Sequence, residues 1–221
     1  MSNWEILWSS RDVFWQGFGN TVTIFVISAI AAFLLGSLLV FMMEGARPRL
    51  KTPLRIFIDG MRMLPFLILA YLFYYGLPSL EIRLSAWQAG VSALILYHGA
   101  YFAEILRGSR VTLSSGQEEA ATALGFSRPS MFIRIILPQL VLRTRGVMGN
   151  QLIILLKDTA FLVIITVREL TAAANSLSST YFIPMEAFIV VIGFYWAISL
   201  MLEQSIRLLG RLGEKRGFSN A

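Results

Sequence analysis

Long apolar runs alternate with short clusters of arginine, lysine and proline along this chain, and the alternation predicts its elements. Residues 21–43 pass without a charge. At 1.5 Å per residue, a helix of that length crosses about 30 Å of hydrocarbon. Residues 56–77 form a second apolar run, but Asp59 and Arg62 occupy its first half and Pro65 follows them. That pattern predicts a helix interrupted at Pro65, with its polar half buried against protein. Residues 87–106, 146–167 and 185–202 complete a set of five predicted membrane spans. Ahead of the first, Trp4, Leu7, Trp8, Phe14 and Trp15 suit a segment lying at the headgroup level. Residues 171–179 are small and polar, and read as a short helix at the outer mouth between the last two spans.

Composition agrees with the pattern. At 56% hydrophobic and 14% charged residues, with mean hydropathy +0.67, the chain is an all-α, polytopic membrane protein, read as a single transmembrane domain over residues 1–221. The absence of cysteine excludes a disulfide framework and thiolate metal sites. A net charge of +6 would suit nucleic acid, but the basic residues flank apolar spans and do not cluster with exposed aromatics, so no nucleic-acid partner is expected. The charge reports topology instead. Of 19 Lys and Arg, fourteen fall beside the loop 107–138 or on its side, including the tail residues Arg207, Arg211, Lys215 and Arg216; Arg11, Arg83 and Arg168 fall on the other. This bias places the loop and the C-terminus in the cytoplasm and the N-terminus outside. The first twenty residues lack a basic start and a small-residue cleavage site, and do not read as a cleaved signal.

Within the loop lies the one polar island of any length. Ser114 or Ser115 can cap a helix there, Glu118 and Glu119 favour its positive end, and Ala120, Ala121 and Ala123 are strong helix formers. Gly125, after Leu124, supplies the stop. The predicted product is a short exposed helix, acidic at its start and smooth on its alanine face, shaped to dock into a groove of another protein.

The run Glu119-Ala120-Ala121, three residues, Gly125, nine residues, Ile135, one residue, Leu137-Pro138 resembles the EAA loop of permease subunits of bacterial ATP-binding cassette importers. The flanking stretches, residues 99–108 and 155–160, look like the polar amino acid and opine uptake branch of that family. The resemblance implies a coupling helix formed by Glu118, Glu119, Ala120, Ala121, Leu124 and Gly125, fitting a cleft on the ATP-hydrolysing subunit. It also implies two such subunits, carrying ATP and Mg, a second permease subunit of the same or a related chain, a periplasmic solute-binding protein, and a place in the inner membrane. The chain itself has no phosphate-binding loop, nucleophile elbow or zinc motif, so no catalytic residues, metal or cofactor are expected in it. From another class, a channel or a scaffold would use the same loop merely to anchor a soluble partner.

Ionisable residues inside the spans are the other candidates, because each charge at such depth costs on the order of 2.5–3.5 kcal/mol. Lys157 and Asp158 point about 100° apart if the helix is regular, so each needs its own partner. They read equally as a translocation pathway, with Thr159 beside them, or as the holders of a helix break. His98, with no second ligand at metal spacing, reads chiefly as a hydrogen-bonded packing residue and secondarily as a pathway residue. Glu104 and Arg107, three apart, read as a surface pair, and Glu169 lies where a delivering protein would land.

Overall fold

The computed structural model describes residues 2–45 and 47–215; Arg216 of the basic tail lies outside the described residues. Among them there is no strand. The first two helices, α1 (Asn3–Ser9) and α2 (Arg11–Met43), are followed by α3 (Pro48–Met63), α4 (Phe66–Tyr71), α5 (Ala86–Val111) and α6 (Gly116–Ala123). Then come α7 (Arg128–Met131), α8 (Leu137–Asp158), α9 (Leu170–Tyr181) and α10 (Pro184–Lys215). Four helical stretches are long and apolar enough to cross a membrane: Arg11–Met43, Ala86–Val111, Arg128–Ile165 and Pro184–Arg211. The bent pair Arg49–Met63 and Phe66–Leu80 supplies a fifth if the two are counted as one.

Several helices outrun the apolar pattern that predicts them. The first begins at Arg11 and not at 21, and the fourth is helical from Arg128, eighteen residues before 146, while α10 runs past 202 to Lys215. The reason is the same each time. A charge disqualifies a membrane window but not a helix, and Arg11, Arg143 and Arg207 keep their side chains on exposed flanks. At the N-terminus the backbone is already committed: Ser2 and Glu5 close a capping box, and Leu7 and Phe14 turn inward while Trp4, Trp8 and Trp15 stay outside.

Pro65 does more than interrupt. Leu64 before it is extended at φ −81°, ψ 142°, as the steric demand of a following proline requires, and Pro65 is extended too. The two helices therefore meet at 104°, so residues 56–77 are not one straight span. The bend lets α3 lie against α5 with its charged face inward, and α4 bury Phe66, Leu69 and Ala70 beside Ala89, Ala93 and Leu94.

The core is built on the pairing of α2 with α5. A Cβ on Gly36 would lie 2.7 Å from Phe102 Cβ and 2.9 Å from the Gly99 carbonyl, and one on Gly99 would lie 2.7 Å from Leu35. Two backbones thus touch where both residues lack side chains, the close approach that lipid-embedded helices use in place of a hydrophobic drive. Around this seam Phe25, Ala32, Leu39, Phe102, Ala103 and Leu106 pack with Leu155 and Leu156 of α8. A separate cluster of Leu7, Phe14, Leu170, Ala174 and Ala187 ties α1 and α9 to the start of α10.

Because backbone atoms stand opposite Gly36, they cannot yield to an added methyl. Gly36→Ala should destabilise the fold by about 1–3 kcal/mol. Gly19→Ala, in the same helix with nothing within 4 Å, should not. Denaturant-induced loss of helix in detergent measures both.

Candidate functional site

The short helix α6 is a rigid knob on the end of the bundle. Its C-terminus closes by two hydrogen bonds: Phe126 N–H donates to the Ala121 carbonyl at 3.0 Å and Gly125 N–H to the Thr122 carbonyl at 3.0 Å. Gly125 sits at φ +78°, a left-handed conformation that glycine adopts without strain. At the other end Ser115 occupies the capping position, but its side chain makes no cap hydrogen bond; its backbone is already helical at φ −64°, ψ −25°, which turns the hydroxyl away. Ser114 Oγ accepts weakly from Gly116 N–H at 3.4 Å, so serine capping here is poorer than the sequence suggests.

The two glutamates of the knob part company. Glu118 turns inward to Arg110, whose guanidinium also binds Glu44 at the end of α2. One arginine at the end of α5 therefore ties α6 to α2. Gln139 of α8 donates to Gln117 at 2.6 Å and adds a second tether. Ala121 faces inward and is buried, whereas Glu119, Ala120, Ala123 and Leu124 face out. Leu124 is 78% exposed at the tip of the knob, a large apolar side chain that no described residue covers.

Behind the knob lies an ionic network that sequence spacing reveals only in part. Glu104 is not merely the i+3 partner of Arg107, which it binds at 2.6 and 2.7 Å; it also accepts from Arg55 at 3.0 Å and lies 3.8 Å from Arg62. Asp59 accepts from Arg55 at 2.7 Å and approaches Arg62 at 3.7 Å. The Arg62 guanidinium also stacks over Tyr101, whose hydroxyl donates to the Arg62 carbonyl at 3.1 Å. The polar half of the interrupted helix is thus paired across to α5.

Deeper in the bundle, His98 is fully buried. Its Nδ1 lies 2.8 Å from Gln151 Nε2 and its Nε2 lies 3.3 Å from Asp158 Oδ2, close but poorly aligned for a hydrogen bond. An amide N–H donating to Nδ1 places the ring proton on Nε2, toward the carboxylate. Lys157 points away and is exposed, so the neighbours diverge, and α8 gives way to a tight 3₁₀ segment at Thr159–Ile165 directly after them. Thr159 is buried, donates to the Leu156 carbonyl at 2.7 Å and lies 3.3 Å from the Tyr195 hydroxyl. Tyr195 donates to Glu169 Oε2 at 3.1 Å, and Glu169 caps α9 by accepting from Thr171 N–H and Ala172 N–H at 2.7 and 2.8 Å. Asp158 and His98 form one cluster, Thr159 and Glu169 a second, and Lys157 joins neither. Gln151 and Tyr195 complete the clusters without standing out in sequence; the adjacent amides Asn150 and Gln151, inside an apolar run, are the available signal for Gln151. Among the described residues no group of three or more His, Cys, Asp or Glu is placed to hold a metal ion.

The pattern of binding-protein-dependent transport system inner membrane components matches residues 32–212. The chain belongs to this family. The probable glutamine ABC transporter permease protein GlnM of Bacillus subtilis is 30% identical over 96% of this chain and 99% of its own length. The octopine transport system permease protein OccM of Rhizobium meliloti is 30% identical over 92% and 86%. Among solved structures, an amino acid ABC transporter with histidines superposes with a TM-score of 0.83 at 27% identity, covering 96% of this chain and 99% of that one. The methionine transporter MetNI shares the fold, with a TM-score of 0.71 at 15% identity over 94% and 99%. This member of the inner membrane component family is therefore a polytopic permease subunit, as GlnM and OccM are named to be.

Burial pushes the Glu169 carboxyl up to about 6, against the opposing pull of its hydrogen bonds from Thr171, Ala172 and Tyr195. The fold holds this proton more tightly than an unfolded chain does. Its contribution to stability is fully present below the ordinary 4.5 and is lost as pH rises through about 6, a change on the order of 2 kcal/mol. The thermal midpoint in detergent should accordingly be higher at pH 5 than at pH 7, and Glu169→Gln should flatten that difference.

Proposed function

We propose that the chain is the translocating subunit of an ATP-driven, binding-protein-dependent importer of polar or basic amino acids or opine-like conjugates, working by alternating access. The observation that carries this reading is the knob α6: braced to α2 and α5 through Arg110, closed at Gly125, and presenting Ala120, Ala123 and an uncovered Leu124. Two ATP-hydrolysing subunits hold ATP and Mg, and each receives one knob of a permease pair. The substrate class rests on likeness to permeases named for glutamine and octopine and to a solved amino acid transporter.

The bracing suggests how motion passes inward. Closure of the ATP-hydrolysing pair displaces α6; Arg110 carries the displacement to the ends of α2 and α5 together. The seam at Gly36 and Gly99 leaves these helices no room to slide, so they swing as one body. Ligands bias the two access states only by their differential affinity for them. Of these candidates, Asp158 is the one a passing solute reaches: its carboxylate is partly exposed, whereas His98, Thr159 and Glu169 are buried and engaged with neighbours. His98 and Gln151 hold Asp158 in place, Thr159 and Glu169 fix the helix break, and Lys157 lies on the far face.

Coupling is tested at two exposed positions of the knob, Ala123 and Gly125. With partner subunits and binding protein reconstituted in vesicles, uptake should run uphill and require ATP. Ala123→Arg and Gly125→Arg should insert normally, yet lower uptake and stimulated ATP hydrolysis at least about tenfold, the loss that about 1.4 kcal/mol of docking energy produces. Passive flux without ATP would indicate a channel, and unaltered stimulation by both variants would overturn docking. Orientation has its own check in a chain free of cysteine: an impermeant maleimide should label Ser2→Cys in spheroplasts and Ser127→Cys only after lysis.

A further inference from the structure

Arg143 and Arg145 of α8 and Arg207 and Arg211 of α10 line one groove of about 600 Å³, floored by Gly146, Ile206 and Gly210, at the end of the bundle that carries α6. Among the described residues Arg143 and Arg211 have no carboxylate partner, and Glu203, one turn before Arg207, binds it at 2.6 Å. The groove is built and not accidental. A Cβ on Gly149 would lie 2.3 Å from Ile206, so α8 and α10 close to contact there, and one on Gly210 would lie 2.8 Å from Arg145 Nε. The Arg145 guanidinium rests on a buried surface that only glycine leaves open, and its Nη1 is steered by the Leu142 carbonyl at 3.0 Å.

What lies beside the arginines decides the ligand. Val147, one turn along α8 from Arg143, and Leu208, one turn before Arg211 on α10, are each more than half exposed, and α10 is the least buried of the long helices. A free anion would use the guanidinium groups and ignore the aliphatic flank. An acidic protein segment would do the same. Guanidinium groups over an exposed aliphatic strip match a molecule with a phosphodiester at one end and hydrocarbon at the other, and planar guanidinium forks bind phosphate oxygens in pairs. We propose that this groove is a binding site for the headgroup of an anionic phospholipid, whose acyl chains run along Val147 and Leu208.

Native mass spectrometry of the full chain, stripped of lipid in mild detergent and mixed with phosphatidylglycerol or phosphatidylcholine, tests the assignment. Phosphatidylglycerol should be retained over phosphatidylcholine. The preference should fall by about fivefold for each arginine removed in Arg143→Gln and Arg211→Gln. Gly210→Leu, which keeps every charge but evicts Arg145, should weaken it as well, with helix content by circular dichroism unchanged. Glu203→Gln, which frees Arg207, should strengthen retention, a gain that misfolding cannot mimic. Equal retention of the two lipids, or no response to Glu203→Gln, would overturn the proposal. Displacement of phosphatidylglycerol by excess inorganic phosphate would overturn it too, by showing a free-anion site.

Discussion

Hydrocarbon offers no hydrogen-bond partner, and that one fact accounts for the polar pairings inside this bundle. Asp59 and Arg62 would forbid a straight second span; with the 104° bend at Pro65, Arg62 lies against Glu104 and Tyr101 of α5, while Asp59 pairs with Arg55 and Arg62 within α3. Asp158 is answered by His98, and Tyr195 by Glu169. Lys157 joins neither cluster and stays exposed on α8. The same demand explains why the two long helices at the centre meet through glycines: with little hydrophobic drive between helices in lipid, close backbone contact does the holding.

This constraint also decides what a reader of the sequence can see. The apolar runs, the interruption at Pro65 and the α6 stop at Gly125 are local, each written in a few adjacent residues. Helix ends were not legible, because hydropathy reports where lipid lies and not where the backbone ceases to coil; Arg143 and Arg145 look like loop and sit in mid-helix. The sharing of Glu104 by arginines 49 and 42 residues away, and the bridge from Arg110 to Glu44 across 66, are tertiary facts with no periodic trace. Serine capping at Ser115 failed for a local reason that sequence does not carry: the backbone there is already helical.

The knob and the intramembrane clusters are separate constructions joined by shared helices. Arg110 belongs to the last turn of α5, His98 to its middle, and Glu44 to the end of α2. The closed seam between α2 and α5 means that neither helix can answer a push without the other. Flexibility is left to the margins: the π-type turns at Leu72–Gly76 and Phe132–Ile136 and the left-handed residues Thr166 and Phe182 all fall at junctions between helices.

That α5 is a single unbroken coil from Ala86 to Val111 has a further result. Twelve residues, or about 18 Å, separate Arg110 from His98 along its axis. No proline, π turn or glycine hinge with a strained backbone interrupts that distance. In the proposed importer it would act as a stiff lever: a torque applied by an outside machine at its foot would arrive at the imidazole as rotation, and the carboxylate opposite would have to follow or let go.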